Sequence, residues 1–361
     1  MKISVLCFDL SSNAFGRAWL LAKALSRVYD VEIIGTSRKG GIWAPMAHSK
    51  IPVKEFMWDR YPKFSRVKKN ILDAIDGDLI LASKLMPTSF GIGLQKKYSS
   101  GKPLIVDIDD WELGFFYHSG FWGGVGRFLN FSNPNGLPYV WRIERLVGEA
   151  DAVSVSNRFL QKKFKGALLP HCRDTSVLDP QKFSPDEIKE RIGLAGKKVV
   201  MFLGTPRPHK GLDDLLAAFK KIGDLNVKLV IIGAENQQEF LKRVDHSIRE
   251  SVVVLPKTSF QKLPELLSAA DILAIPQRRT SDSVGQIPAR LFDAMSMAKP
   301  IIATRVSDIP EVLDNCGYLV DPNKPSQLAD AIKYILNHSD EARVKGAAVR
   351  ARCRQKYDIH N

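Results

Sequence analysis

Cysteine is scarce in this chain and falls into no pattern: Cys7, Cys172, Cys316 and Cys353 are its four, with no C-x-x-C spacing among them. That excludes a disulfide framework and a clustered zinc site, and leaves reduced structural thiols as the expectation. Long apolar runs are missing too. Nothing approaches the roughly 18 consecutive apolar residues that span a bilayer, and the apolar start, Met1 to Cys7, meets Asp9 before it reaches signal-peptide length. A cytoplasmic protein is the expectation. Acidic side chains are the minority charge, 39 against 53 basic ones, for a formal net charge of +14. Such a surplus favours polyanionic partners: phosphates of a substrate, an anionic membrane face, or nucleic acid. With no helix-turn-helix or RNA-binding signature present, nucleic acid is the least favoured of the three.

What is present suffices for two domains. A chain of 361 residues is too long for one ordinary core, and its 45% hydrophobic content fills two. Buried strands read at Ile3–Phe8, Val31–Gly35, Leu79–Ala82, Leu104–Ile108 and Ala152–Val155, with helical stretches such as Gly16–Tyr29 between them. After a polar, Pro-containing stretch, His171–Pro185, the rhythm restarts with strands at Val199–Leu203, Lys228–Ile232, Ser251–Leu255, Ile272–Ile275 and Pro300–Ala303. The expected division is therefore a first Rossmann-like domain over 1–170, a linker over 171–190 and a second Rossmann-like domain over 191–361. Strands alternating with helices imply parallel sheets with right-handed crossovers, whose ligands sit outside the carboxyl ends of the strands. One stretch breaks the rhythm: Trp111 to Tyr139 is rich in glycine and aromatics and far longer than a usual strand-to-helix loop.

The charge is uneven. Up to Pro170 there are 24 basic residues against 15 acidic, and from His171 onward 29 against 24. Lys50 to Asn70 alone holds seven basic residues against Glu55 and Asp59, with Phe56, Met57, Trp58, Tyr61 and Phe64 among them. With Phe121 and Trp122 of the aromatic stretch, this segment is expected to dock the first domain on the inner membrane face. The plain alternative is a solvated helix whose aromatics face the core.

Two loops carry the strongest functional signal. Gly204-Thr-Pro-Arg-Pro-His-Lys-Gly211 and the segment Pro276 to Pro300 each follow a short apolar strand and run into an amphipathic helix. That arrangement aims backbone N–H groups and a positive dipole end at an anion, so two such loops in one half-chain point to a phosphorylated ligand.

Taken in order and spacing, the motifs resemble glycosyltransferase family 4, retaining enzymes of the two-Rossmann GT-B fold. Ser11 to Gly16 is similar to the family's N-terminal glycine loop, and Glu149 to Ser156 followed by Leu169 to Asp174 to its passage into the interdomain linker. Gly204 to Gly211 is similar to the segment ending in Lys-Gly, and Asp293 to Thr304 to the Glu-Ala-Met-Ala motif and its strand. Two departures stand out. Asp293 falls on the second Glu of the family signature, but Gly285 falls on the first, and Asp282 or Ser283 is left to cover the missing carboxylate. The Arg of the common Gly-Arg motif is Thr205 here, with Arg207 two residues on.

The resemblance implies an α/β protein of two doubly wound parallel-sheet domains, with a final helix returning to the first. It also implies transfer of a sugar from a nucleoside-diphosphate sugar to a sugar, glycolipid or polysaccharide precursor, with no metal or other cofactor. Lys210 and Arg207 would then stabilise the departing diphosphate, one as a compact cation and the other through two N–H donors. The plain reading of either is a solvated cation near a helix start. Asp293 would hold the donor ribose, and Gly204, Thr205, Gly285, Gln286 and Ile287 would line the phosphates with backbone. Arg290 pairs either with Asp293 or with phosphate. Gly16 would let donor or acceptor approach the first helix, while Asp109, Asp110 and His118 would contact the acceptor or its sugars. Asp107-Ile-Asp109 imitates a metal-binding D-x-D, a reading the resemblance disfavours. Two other readings use the same residues: a nucleotide-sugar epimerase of the same fold, and a non-catalytic basic protein that binds nucleic acid or sugar.

Overall fold

Strands that are apolar on both faces need helices on both sides, and this chain supplies them twice. The computed structural model describes residues 1–46, 50–116, 126 and 128–361, which form two compact units, Met1–Pro170 and His171–Asn361. In the first, β1 (Lys2–Cys7), β2 (Asp30–Ser37), β3 (Val53–Met57), β4 (Leu79–Ser83), β5 (Leu104–Ile108), β6 (Ala152–Val155) and β7 (Ala167–Leu168) make a parallel sheet. Its order is β3-β2-β1-β4-β5-β6-β7, with Cys7 opposite Gly35 on one side and Ser83 on the other. In the second, β8 (Lys198–Leu203), β9 (Val227–Ile232), β10 (Val252–Leu255), β11 (Ile272–Ile275), β12 (Ile301–Thr304) and β13 (Tyr318–Val320) run parallel in the order β10-β9-β8-β11-β12-β13.

Alternation along β8 shows how the second core is built. Val199 and Met201 join the core on one face of the sheet with Leu291, Phe292 and Met295, whereas Val200 and Phe202 join the opposite core with Leu215 and Phe219. The helix Leu212–Ile222 covers one face and the helix Arg290–Ser296 the other. Both sheets are thus doubly wound, as expected.

Several local expectations are corrected. Residues 171–190 fold into the second unit rather than standing apart: Leu178 lies in its core and Pro185–Arg191 is a helix. The final helix, Ser339–Lys356, also packs within that unit, against Arg290–Ser296. Just beyond it the chain pairs with the unit's own beginning: Arg173 N–H donates to Tyr357 O at 2.8 Å, and Ile359 N–H to Arg173 O at 2.9 Å. Gly16 lies inside the helix Ala14–Leu25, and a Cβ there would meet only Trp43, at 3.5 Å, an ordinary contact. Phe64, counted among the membrane-facing aromatics, is 2% exposed in the first core. Phe56, Trp58 and Tyr61 are half-buried, because the segment before the helix Phe64–Ala74 contributes strand β3 to the sheet. His118, Phe121 and Trp122 lie outside the described residues.

Candidate functional site

From β8 the second sheet is built outward to β9 and β10, and the chain then returns to lay β11 on the other side of β8. Crevices at such reversals, outside the strand ends, are where open α/β sheets take ligands. The loop 204–211 leaves β8 there and the loop 276–289 leaves β11.

Glycine is required where these loops meet. Gly211 has φ +68°, and a Cβ on it would stand 1.7 Å from Pro276 O, so the last residue of the Lys-Gly motif is fixed by backbone contact with the second loop. Gly204, at φ +112°, opens a different space: a Cβ there would stand 3.3 Å from Lys210 Nζ and 3.8 Å from Arg290 Nη1. Two cations, one from the first loop and one from the helix that follows the second, therefore converge on the bare face of one glycine.

Arg290 is the unusual member. Its side chain is buried, its Nη1 donates to Leu203 O at 2.7 Å, and its guanidinium lies 4.5 Å from the centre of the Phe202 ring. Its Nε and Nη2 have no hydrogen-bond partner and no carboxylate pairs with it among the described residues. Burial pushes the guanidinium down to about 9. A buried cation lacking a counter-charge is costly, and an anion in the space above Gly204 would supply one.

The other expected donor residues divide. Thr205 is half-buried beside Gly204, whereas Arg207 is exposed and lies beyond 4 Å of that space. Ser283 is turned inward, donating to Arg278 O at 2.6 Å and accepting from Thr280 N–H at 2.9 Å as part of a capping box. The N–H groups of Gly285 and Gln286 both point to Ser283 O, so this backbone closes its own turn. Ile287 is in the core. Asp282 faces His209, whose Nδ1 lies 2.8 Å from its Oδ2, and also accepts from Thr280 Oγ1. Asp293 accepts from Arg173 Nε through Oδ1, and Arg173 Nη2 donates to Ala289 O at 3.0 Å. Burial works against the Arg173 charge, but the Asp293 carboxylate outweighs it and raises its pKa.

In the first unit the order reverses between β1 and β4, and a polar cluster lies beside that point. Lys84, the residue after β4, has φ +70° and is buried. Its Nζ donates to Asp109 Oδ1 at 2.6 Å and to Asp110, and lies 3.4 Å from Glu112 Oε1. Three carboxylates share one ammonium. Burial pushes Asp109 up to about 6 and Glu112 up to about 7, while for Lys84 the three carboxylates overcome burial and hold its pKa well above the ordinary value. Asp107 is separate from this cluster: Arg17 grips it through Nε and Nη2, both at 2.8 Å, which splits the D-x-D pair between two cations. Gly16 thus stands next to a structural arginine.

Lys84, Glu112, Arg17 and Arg173 escaped the sequence reading. Arg17 alone left a trace, as a charge on an otherwise apolar helix face beside Ala14, Ala18 and Leu21.

The fold is that of the GT-B glycosyltransferases. Residues 197–338, within the second unit, match the family model "Glycosyl transferases group 1". Among curated relatives, a GDP-mannose-dependent alpha-(1-6)-phosphatidylinositol monomannoside mannosyltransferase of Mycolicibacterium smegmatis is 27% identical over 224 residues, 58% of this chain and 59% of that protein. A D-inositol 3-phosphate glycosyltransferase of Segniliparus rotundus is 26% identical over 234 residues, 57% of this chain and 50% of that protein. The alignments thus span between half and three-fifths of these relatives. The crystal structure of Anabaena Alr3699/HepE in complex with UDP-glucose superposes with a TM-score of 0.78 at 16% identity, covering 100% of this chain and 96% of that one.

Proposed function

We propose that the protein is a retaining glycosyltransferase that uses a nucleoside-diphosphate sugar, without a metal, to glycosylate a sugar or lipid-linked acceptor. The convergence of Lys210 and an uncompensated Arg290 on the open face of Gly204 carries this reading. In the reaction the bond from the sugar C1 to the β-phosphate oxygen breaks and a bond from C1 to the acceptor oxygen forms on the same face. The acceptor's proton passes to the departing phosphate oxygen. Charge develops on the leaving diphosphate, where two preorganised cations are most useful. Asp293 holds the ribose through Oδ2, with Arg173 fixing Oδ1, and the Lys84 cluster offers Asp109 and Asp110 to acceptor hydroxyls.

The acceptor is read as lipid-linked because the first unit has a surface suited to an anionic membrane. Phe128, Leu129 and Phe131 are 48%, 65% and 52% exposed, and the Phe128 and Phe131 rings meet edge-on at 6.5 Å. Arg60 Nη1 donates to the neighbouring Ser132 Oγ at 2.9 Å, which places the exposed Arg60 beside this apolar tip, and Lys63, Arg66 and Lys69 are exposed on the stretch that follows it. The apolar contribution comes from 128–131 rather than from the aromatics of 56–64.

Thermal unfolding with UDP, GDP and ADP side by side tests the donor site, followed by incubation of the matching nucleotide sugar with acceptor. Stabilisation by one nucleotide and a new glycosidic product are expected. No shift with any of the three would remove the reading, and inversion of the sugar without transfer would make the protein an epimerase.

A further inference from the structure

The two cations that meet over Gly204 come from separate segments, Lys210 from the loop after β8 and Arg290 from the first residue of the helix Arg290–Ser296, and they repel. With Lys210 Nζ and Arg290 Nη1 at 3.3 and 3.8 Å from one point, they are no more than 7.1 Å apart, the sum of those two distances. The space between them is formed before any anion arrives, so something in the protein must hold the loops against that repulsion.

Ties cross from the second loop to the first and to the helix Leu212–Ile222 that follows it. Arg278 N–H donates to His209 O at 2.8 Å; the Arg278 guanidinium grips Asp214 through Nε and Nη2, both at 2.7 Å; and His209 Nδ1 meets Asp282 Oδ2 at 2.8 Å. The first is backbone, and the second is partly open to solvent, with the Arg278 side chain 29% exposed. The third is buried on both sides, at 5% and 4% exposure, where a polar contact is strongest and most sensitive to geometry. His209 immediately precedes Lys210. Asp282 sits in the short helix Ser281–Val284, on the loop that leads directly into Arg290.

We propose that the His209–Asp282 pair is a positioning strut that fixes the spacing of the Lys210 and Arg290 cations, so that the site is set for a diphosphate before it binds. This rests on the donor-site reading above. It also explains the altered signature: the carboxylate near the missing first Glu holds a histidine of the facing loop instead of a donor hydroxyl.

The test separates this role from general stability by comparing a nucleoside diphosphate with its own nucleoside, since only the former needs both cations. Calorimetry on the full chain would measure UDP, GDP and ADP against uridine, guanosine and adenosine for wild type, His209→Ala, Asp282→Ala, the double variant and His209→Asn. The asparagine places an amide N–H near the position of Nδ1. The strut predicts that each alanine variant loses about tenfold or more in diphosphate affinity, the scale on which misplaced groups act, with nucleoside affinity unchanged. The double variant should be no worse than either single one, and His209→Asn should recover most of the loss. Unchanged diphosphate affinity in both alanine variants would overturn the strut, as would an equal loss for nucleoside and diphosphate. Wild type that binds no nucleoside diphosphate would instead overturn the donor site itself.

Discussion

Replacing Arg290 by Met should cost the empty protein little and the liganded protein a great deal. The guanidinium pKa falls from 12.5 to about 9 on burial. At 1.36 kcal/mol per unit, its charge opposes folding by about 5 kcal/mol at neutral pH. Folded and unfolded chains are both charged below pH 9, so the full penalty applies there and is relieved only as pH rises above 9. Against it stand a charge-assisted bond to Leu203 O, about 1.5 to 3 kcal/mol, and a desolvated contact with the Phe202 ring, about 2 kcal/mol. These nearly cancel. Methionine keeps much of the volume, so the variant's stability in the absence of ligand should stay within about 2 kcal/mol of wild type, where removing one partner of a buried ion pair costs about 3 to 5. With diphosphate at a hundred times its Kd, wild type gains about 2.7 kcal/mol. Losing one charge-assisted phosphate contact weakens binding by about one to two decades, and at the same concentration the gain drops to about 0.4 to 1.4 kcal/mol. Thermal unfolding of both proteins with and without UDP, GDP and ADP reads both quantities. A variant that loses more than about 3 kcal/mol when empty yet keeps the full nucleotide shift would make Arg290 a structural cation and refute the argument.

Asp293→Ala should be among the most destabilising single changes in the second unit, by about 3 to 5 kcal/mol in chemical denaturation, because it leaves Arg173 buried without its counter-charge. Asp293→Asn, which keeps an oxygen for Arg173, should retain more stability while still weakening nucleotide binding in calorimetry. Burial raises Glu112 from 4.5 to about 7, so the folded chain holds a proton there that the unfolded chain has lost between those values; the melting temperature should fall as pH rises from about 4.5 to 7, and Glu112→Gln should flatten the slope. Cosedimentation should show binding to vesicles that contain anionic lipid, weakening with salt and lost when Phe128 and Phe131 become Ser or when Lys63, Arg66 and Lys69 do; equal recovery with neutral and anionic vesicles would leave a soluble basic surface.

The central strands were legible because each is an apolar run bounded by turn residues, and a strand buried on both faces leaves no other pattern. β3 hid in a basic segment, since only a half-exposed edge strand accepts Lys54 and Glu55. β7 and β13, two and three residues long, fall below any periodicity. The two loops after β8 and β11 could be found from strand, turn and helix order, and Gly211 from its motif. What each polar side chain does there could not. Asp282 was expected to face a ligand and faces His209; Arg290 was left between Asp293 and a phosphate and pairs with no carboxylate among the described residues. Those outcomes depend on which loop lies opposite, seventy residues away in sequence, and no local pattern encodes that. Lys84 illustrates the same limit, being surrounded by residues 25 to 28 positions further on.

The ribbon that joins Arg173 to Tyr357 and Ile359 bears on how the protein is made. During translation the chain emerges from its N-terminus, and β8 to β13 can assemble while the last helix is still being synthesised. Arg173 by then has left the ribosome, but the backbone partners that hold it in place are encoded at 357 and 359, some forty residues after the sheet is complete. The cation that orients Asp293 is thus fastened only after residues 357–359 have been made. A chain stalled before residue 357 would carry a folded sheet with Arg173 unfastened, and weaker nucleotide binding by a chain stopped at Lys356 is the expected sign that Asp293 depends on that fastening.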